Sequence, residues 1–79
     1  MMEERIRQIA ASVLRVSPAR LDATASPDTI ETWDSLQHLN LVLALEEAFD
    51  LRFMVEDVGR MRTIGEIVRL VRSRLNGAA

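Results

Sequence analysis

Residues 33–49, WDSLQHLNLVLALEEAF, predict one helix with two apolar faces. Asp34 is a good helix N-cap, and Gln37, three residues later, gives the amide form of a capping box. At about 100° per residue, four apolar side chains cluster in a stripe as wide as a core-facing surface. They are Leu41, Val42, Leu45 and Phe49. We therefore predict a helix over 35–49 that contributes this stripe to the core.

A second apolar stripe lies on roughly the opposite side of the same helix and spans about 60°. This outer leucine stripe consists of Leu36, Leu39 and Leu43, and it is flanked by Asn40, Glu46 and Glu47. A long loop of the same domain could cover it. Alternatively, a small exposed apolar patch rimmed by carboxylates is typical of a surface that docks another protein.

The rest of the chain predicts further helices and no strand. Residues 3–16, EERIRQIAASVLRV, have helical spacing, and Pro18 should end that helix. Thr63 and Glu66 in TIGE form a capping box at the start of a last helix. The apolar stripe of the first helix is Ile6, Ile9, Ala10, Val13 and Leu14, and that of the last is Ile64, Ile67, Val68, Val71 and Leu75.

Two connections complete the predicted all-α fold. Residues 16–33 form a long loop between the first two helices, held by Leu21, Ile30 and Trp33, and loops of such length are often functional. Residues 50–62 form a second loop with a brief helical turn around 56–61. We therefore expect a small antiparallel helical bundle of three main helices and a short third one, four in all, within a single domain, 1–79.

Composition restricts the possible functions. The chain has 79 residues, 48% of them hydrophobic and 28% charged, which is typical of one globular domain. It has no cysteine, so disulfides, thiolate metal sites and cysteine nucleophiles are excluded, and we predict no metal. No segment resembles a signal peptide or reaches the roughly 18 apolar residues of a membrane span. We expect a cytoplasmic monomer that does not bind a membrane.

The charge is unevenly distributed. Residues 1–21 carry a net +2, residues 22–57 carry −8 and residues 60–79 carry +4, for −2 overall. An acidic middle segment favours basic protein partners and argues against nucleic acid. The arginines of the last helix are better explained as a solvated face.

Ser35 at the mouth of the helix has three interpretations. It can be an ordinary first-turn serine. It can be a nucleophile, but the chain has one histidine, His38, and lacks the G-x-S-x-G elbow and a deep cleft. We expect His38 instead to be packed or half-buried beneath Trp33, on the core side near Leu45 and Phe49. Finally, Ser35 can be modified, because an attached phosphodiester suits the positive end of a helix dipole.

The modified serine agrees with a family resemblance. Residues 28–53, DTIETWDSLQHLNLVLALEEAFDLRF, followed by residues 61–71, MRTIGEIVRLV, resemble an acyl carrier protein of fatty-acid or polyketide synthesis. Asp34, Ser35 and Leu36 match the family's attachment triplet. The resemblance continues through the L-x-x-x-L-E-x-x-F register and covers essentially the whole chain.

The resemblance implies a function without catalysis. Ser35 would carry a 4′-phosphopantetheine arm derived from coenzyme A, whose thiol would hold acyl groups as thioesters. A phosphopantetheinyl transferase and acyl-loading and acyl-processing enzymes would dock transiently on the 35–49 helix. The implied recognition residues are Asp34, Leu36, Leu39, Leu43, Glu46 and Glu47. Long acyl chains in this family lie between the helices, and Phe53 and Met61 could line that space.

Some residues depart from the common pattern. The housekeeping bacterial members usually have acidic residues at the positions of Gln37 and Asn40, so WDSLQHLNLV is more similar to stand-alone carriers of specialised pathways. A peptidyl or aminoacyl carrier remains an alternative, although the glycine-rich approach to the serine common in that branch is absent. A carrier relative that has lost the arm and acts as an unmodified interaction module is another. A small serine hydrolase is the remote third class.

Overall fold

The computed structural model describes residues 2–76, which form four helices and no strand. Helix α1 spans Met2–Leu14, α2 spans Ser35–Phe49, α3 spans Val55–Arg60 and α4 spans Ile64–Asn76. Helix α1 packs against α2 and α4, and α3 packs against α4. The predicted all-helical class and the number of helices are therefore confirmed. None of the helices in this range is long and apolar enough to cross a membrane.

Most of the inner stripe of each long helix is buried in the core, as predicted, with four exceptions. Ile9 and Val13 of α1 are only partly buried. Leu41, Val42 and Leu45 of α2 are buried, whereas Phe49 is only half-buried under the Arg5 guanidinium, which lies 5.0 Å from its ring centre. Leu75 of α4 was predicted as core but is exposed. It lies one turn beyond Val71, the last buried residue of α4.

Helix α1 ends earlier than Pro18 would require. It stops at Leu14, because Arg15 adopts a left-handed conformation with φ 60°. The Val16 N–H then donates to the Ala11 carbonyl at 3.2 Å, and the Thr32 hydroxyl donates to the Leu14 carbonyl. Two of the last four backbone carbonyls of α1 thus find partners in the following turn and in the long loop.

The long loop is fixed to the core at several points. It contains a short 3-10 turn, Pro18–Arg20, which the sequence reading did not anticipate. The three expected anchors, Leu21, Ile30 and Trp33, are all buried, and Ala25 is a fourth. These contacts explain how a loop of this length holds one conformation in so small a protein.

The loop also caps α4. The N–H groups of Ile64 and Gly65 donate to the carbonyls of Ala25 and Ala23 at 3.1 and 3.0 Å. A Cβ on Gly65 would lie 3.1 Å from the Ala23 oxygen, so glycine permits this close approach. Thr63 accepts from the Glu66 N–H at 3.0 Å, which confirms half of the predicted capping box. The Glu66 carboxylate lies instead 3.9 Å from Arg69.

A buried carboxylate joins α3 to α4. Asp57 accepts from the Met54 N–H at 2.9 Å and forms an ion pair with Arg74. Burial raises the pKa of Asp57, but the hydrogen bond from Met54 and the Arg74 guanidinium outweigh that effect and lower the pKa overall. Helix α3 is therefore held by an ion pair between residues distant in sequence, which neither residue's local pattern indicates.

Candidate functional site

Ser35 is the first residue of α2, and its side chain is exposed. Asp34 caps this helix as predicted, with its carboxylate accepting from the Gln37 N–H at 2.9 Å. The reciprocal half of the predicted capping box does not form, because the Asp34 N–H donates to the Thr32 carbonyl. The Gln37 side-chain oxygen accepts from Asn40 at 3.3 Å instead.

His38 is held in one orientation by two hydrogen bonds. The Trp33 indole Nε1–H donates to His38 Nδ1 at 3.0 Å, and His38 Nε2 lies 3.0 Å from the Val58 carbonyl oxygen. The two rings stack with centroids 6.1 Å apart. Since Nδ1 accepts the indole hydrogen bond, Nε2 carries the ring proton and donates a hydrogen bond to the Val58 carbonyl. The expected packing of His38 against Trp33 is confirmed, and Val58 of α3 is a partner that the sequence did not indicate.

This arrangement leaves Ser35 without a base. Both His38 nitrogens are already engaged, so His38 cannot activate the Ser35 hydroxyl without breaking its bonds to Trp33 or Val58. Residues 2–76 also contain no cluster of three or more His, Asp or Glu side chains that could hold a metal ion. The geometry therefore fits a serine that another enzyme modifies better than a serine that acts as a nucleophile.

A groove of about 960 Å³ opens directly beside Ser35. It is lined by residues of the long loop, of the first turns of α2, of α3 and of the turn before α4. Its inner wall contains Trp33 and Met61, which are almost fully buried. Its polar lining includes Thr24, Ser26, Asp28, Asp34, Arg62 and Thr63.

Most residues of this groove were not predicted from the sequence. Met61 was proposed to line a space for acyl chains, and it does line the groove. Phe53, proposed with it, is half-buried against the core and lies outside the groove lining. The hydroxyl residues of the loop and Arg62 were not singled out. The only feature of the sequence that could have indicated these residues is their position. Arg62 directly precedes Thr63, which caps α4, and the long loop is hydrogen-bonded to the start of α4.

The outer leucine stripe is exposed in the structure of the single chain. Leu36, Leu39 and Leu43 are 64%, 55% and 62% exposed, so the long loop does not cover them. Glu47 is also exposed. Glu46 is half-buried, and its carboxylate accepts from the Phe53 N–H at 2.9 Å. Of the two glutamates proposed for partner recognition, Glu46 is therefore partly committed to holding the loop after α2.

Comparison with known proteins gives consistent matches. The sequence profile named "Phosphopantetheine attachment site" matches residues 4–71. The chain is 32% identical to the acyl carrier protein of Phenylobacterium zucineum (strain HLK1) over 72 residues, 91% of each chain. It is 28% identical to that of Chlamydia trachomatis serovar D over 75 residues, which cover 95% of this chain and 97% of the relative.

A solved structure agrees with these matches. The holo acyl carrier protein from Geobacter metallireducens superposes with a TM-score of 0.86 at 25% identity, covering 98% of this chain and 88% of that one. The similarity thus extends over the four helices and the long loop.

Proposed function

Because the chain belongs to the phosphopantetheine attachment site family and is an acyl carrier protein, we propose that Ser35 holds its phosphopantetheine arm. The observation that carries this proposal is an exposed serine hydroxyl at the first position of α2, beside an open groove. Residues 1–79 would act as one carrier domain.

The surroundings of Ser35 fit a phosphodiester. Its hydroxyl forms no hydrogen bond within residues 2–76, so a transferase can reach it without disrupting the fold. The N-terminus of the 15-residue helix α2 favours negative charge. Arg62 in the groove lining adds a positive charge that favours the phosphodiester, whereas the neighbouring Asp34 carboxylate repels it. Asp34 also fixes the start of α2 through its bond to Gln37, which keeps Ser35 in place.

The chain's own role is to hold and present the arm. Its sequence has no cysteine, so the arm supplies the thiol that holds acyl groups as thioesters. Ser35 anchors the arm, Asp34 positions the anchor, and the groove gives the arm and its cargo a surface to lie against. We propose that the carrier serves fatty-acid, polyketide or related specialised biosynthesis, and that the chemistry on the cargo is performed by partner enzymes.

The experiment is to incubate the purified chain with an acyl-coenzyme A and a broad-specificity phosphopantetheinyl transferase, and then to measure intact mass. We expect a gain equal to one acylated arm. Brief treatment with hydroxylamine, which cleaves thioesters, should remove the acyl part and leave the arm. An unmodified interaction module would gain no mass, and an acyl group attached directly to the protein would leave no arm behind.

We propose that partner enzymes bind the outer leucine stripe together with Asp34 and Glu47. Its three leucines are exposed, lie on the helix that begins with Ser35, and are bordered by carboxylates. An apolar centre with a charged rim is the usual composition of an interface, and the acidic rim favours basic partners. The area is small, which suits transient contacts with the transferase and with acyl-loading and acyl-processing enzymes.

Replacing Leu43 by aspartate tests this surface. Leu43→Asp should lower kcat/KM of the transferase for the chain by about tenfold to a hundredfold, because an exposed anchor is replaced by a charge in the apolar centre. Leu75→Asp is the matched control, since Leu75 is also an exposed helical leucine but lies on α4. It should change kcat/KM little. Equal losses in the two variants would show that the stripe is not the docking surface.

A further inference from the structure

We infer that this carrier holds short, uncharged polar acyl groups in the groove beside Ser35, and that a Trp33–His38–Val58 bridge keeps long aliphatic chains out of its interior. The inference rests on the proposed attachment at Ser35 and adds the class of cargo. It is carried by the bridge, by the hydroxyl groups in the groove lining and by the packed core to which Trp33 belongs.

The bridge joins three parts of the structure through one side chain. His38 lies on α2, accepts from the indole of Trp33 at the end of the long loop, and donates to the carbonyl of Val58 in α3. For an aliphatic chain to pass between α2 and α3, the His38–Val58 hydrogen bond must break, because it joins these two helices. The almost fully buried Trp33 indole holds the His38 ring in the orientation that makes this bond. Turning the ring away would leave the indole N–H without its partner away from water, which is costly.

The indole of the bridge belongs to the packed hydrophobic core. Met61 and Trp33 form the inner wall of the groove and are 1% and 2% exposed. Leu41, Leu45 and Val71 are fully buried in the same core. Because protein cores are closely packed, each methylene that enters must displace one of these side chains.

The groove lining combines apolar side chains with hydroxyl groups, a mixture that suits a short acyl group with a polar substituent. The Thr24 hydroxyl donates to Asp22 and can therefore only accept from a cargo. The hydroxyls of Ser26 and Thr63 each accept a backbone N–H and can still donate to a hydroxyl or keto group. Its charged residues are the two acids Asp28 and Asp34 and the one base Arg62. A cargo that carries a carboxylate is therefore not attracted by the net charge of the lining. A hydroxyacyl or ketoacyl group, in contrast, can form hydrogen bonds with the hydroxyls without a charge penalty.

The test compares two cargoes on the same arm. The chain is loaded from 3-hydroxybutyryl-coenzyme A or decanoyl-coenzyme A, loading is verified by intact mass, and amide spectra and hydroxylamine cleavage rates are recorded. In the wild type, decanoyl loading should leave the amide signals of Leu45 and Val71 unchanged. The decanoyl thioester should be cleaved no more slowly than the hydroxybutyryl one. The chain has one tryptophan, so slow exchange of a single indole proton reports whether the bridge stays closed.

Two variants disrupt the bridge. Trp33→Phe keeps an aromatic ring but loses the indole N–H and the five-membered ring, and His38→Leu replaces the imidazole by an aliphatic side chain and removes both hydrogen bonds. In either variant that folds, decanoyl loading should shift the Leu45 and Val71 signals. The decanoyl thioester should then be cleaved at least about tenfold more slowly, because several methylenes become buried.

The outcomes separate the two proposals. Absence of a mass gain on the wild type contradicts attachment at Ser35. A mass gain accompanied by shifted core signals and slow cleavage of decanoyl in the wild type contradicts the cargo inference and leaves attachment standing. Folded variants that behave like the wild type with decanoyl would show that the bridge does not control access.

Discussion

Ser35→Ala is expected to abolish mass gain from coenzyme A completely. The substitution removes the only oxygen of the side chain, so no phosphodiester can form there. It should not disturb the fold, because Ser35 is exposed at the first position of α2 and alanine is a favourable helical residue. Asp34 still provides the N-cap of α2. Circular dichroism and thermal unfolding of the variant should therefore match the wild type while transfer of the arm is lost.

Ser12→Ala is the matched control for this prediction. Ser12 is also an exposed helical serine, but it lies within α1, away from the start of α2. This variant should accept the arm at the wild-type rate. A gain on Ser35→Ala equal to that on the wild type would place the arm on another residue and contradict the proposal.

Asp57→Ala should destabilise the fold by about 3 kcal/mol. Asp57 is 3% exposed, accepts from the Met54 N–H and pairs with Arg74, so its removal leaves a backbone donor and a guanidinium without their acceptor. Arg74 is partly exposed and can recover some hydration, which keeps the loss below that of a fully buried pair. Urea unfolding followed by circular dichroism measures the change. Arg72→Ala, which removes an exposed arginine from the same helix, should change stability by less than about 0.5 kcal/mol.

The Asp57 contribution should also depend on pH. Its pKa in the folded protein is lowered, so its charged form stabilises the fold fully above the unfolded value of about 3.9. That stabilisation is lost as the pH falls from there through the lowered native pKa. The difference in free energy of unfolding between the wild type and Asp57→Asn should thus be constant near neutral pH and shrink below about pH 4. A constant difference down to pH 2 would show that the charge of Asp57 contributes nothing.

The sequence predicted those parts of the site that depend on a single helix. The Asp34 cap follows from residue type and position, and the placement of Leu43 opposite Leu45 follows from the helical period. The position of Ser35 at the start of the helix could be predicted in the same way, because Ser35 directly follows the cap. These features are local, and the structure retains them with a half-formed capping box as the main difference.

Features that depend on where two elements meet were not predictable in this way. The partner of His38 is a backbone carbonyl of Val58, 20 residues away, and any residue type at that position could supply it. Asp57 and Arg74 are separated by 17 residues, and each resembles an ordinary surface charge in its own helix. The groove arises because the loop caps α4 through the carbonyls of Ala23 and Ala25, groups that carry no side-chain signal.

The location of the arm on the chain tests the central claim most directly. The wild-type chain is loaded with coenzyme A by the transferase, digested, and its peptides are fragmented in a mass spectrometer. The chain has four other serines, Ser12, Ser17, Ser26 and Ser73, which serve as internal controls. We predict that the added mass is found on Ser35 alone. Added mass on any other residue, or no added mass on the peptide that contains Ser35, would contradict the account.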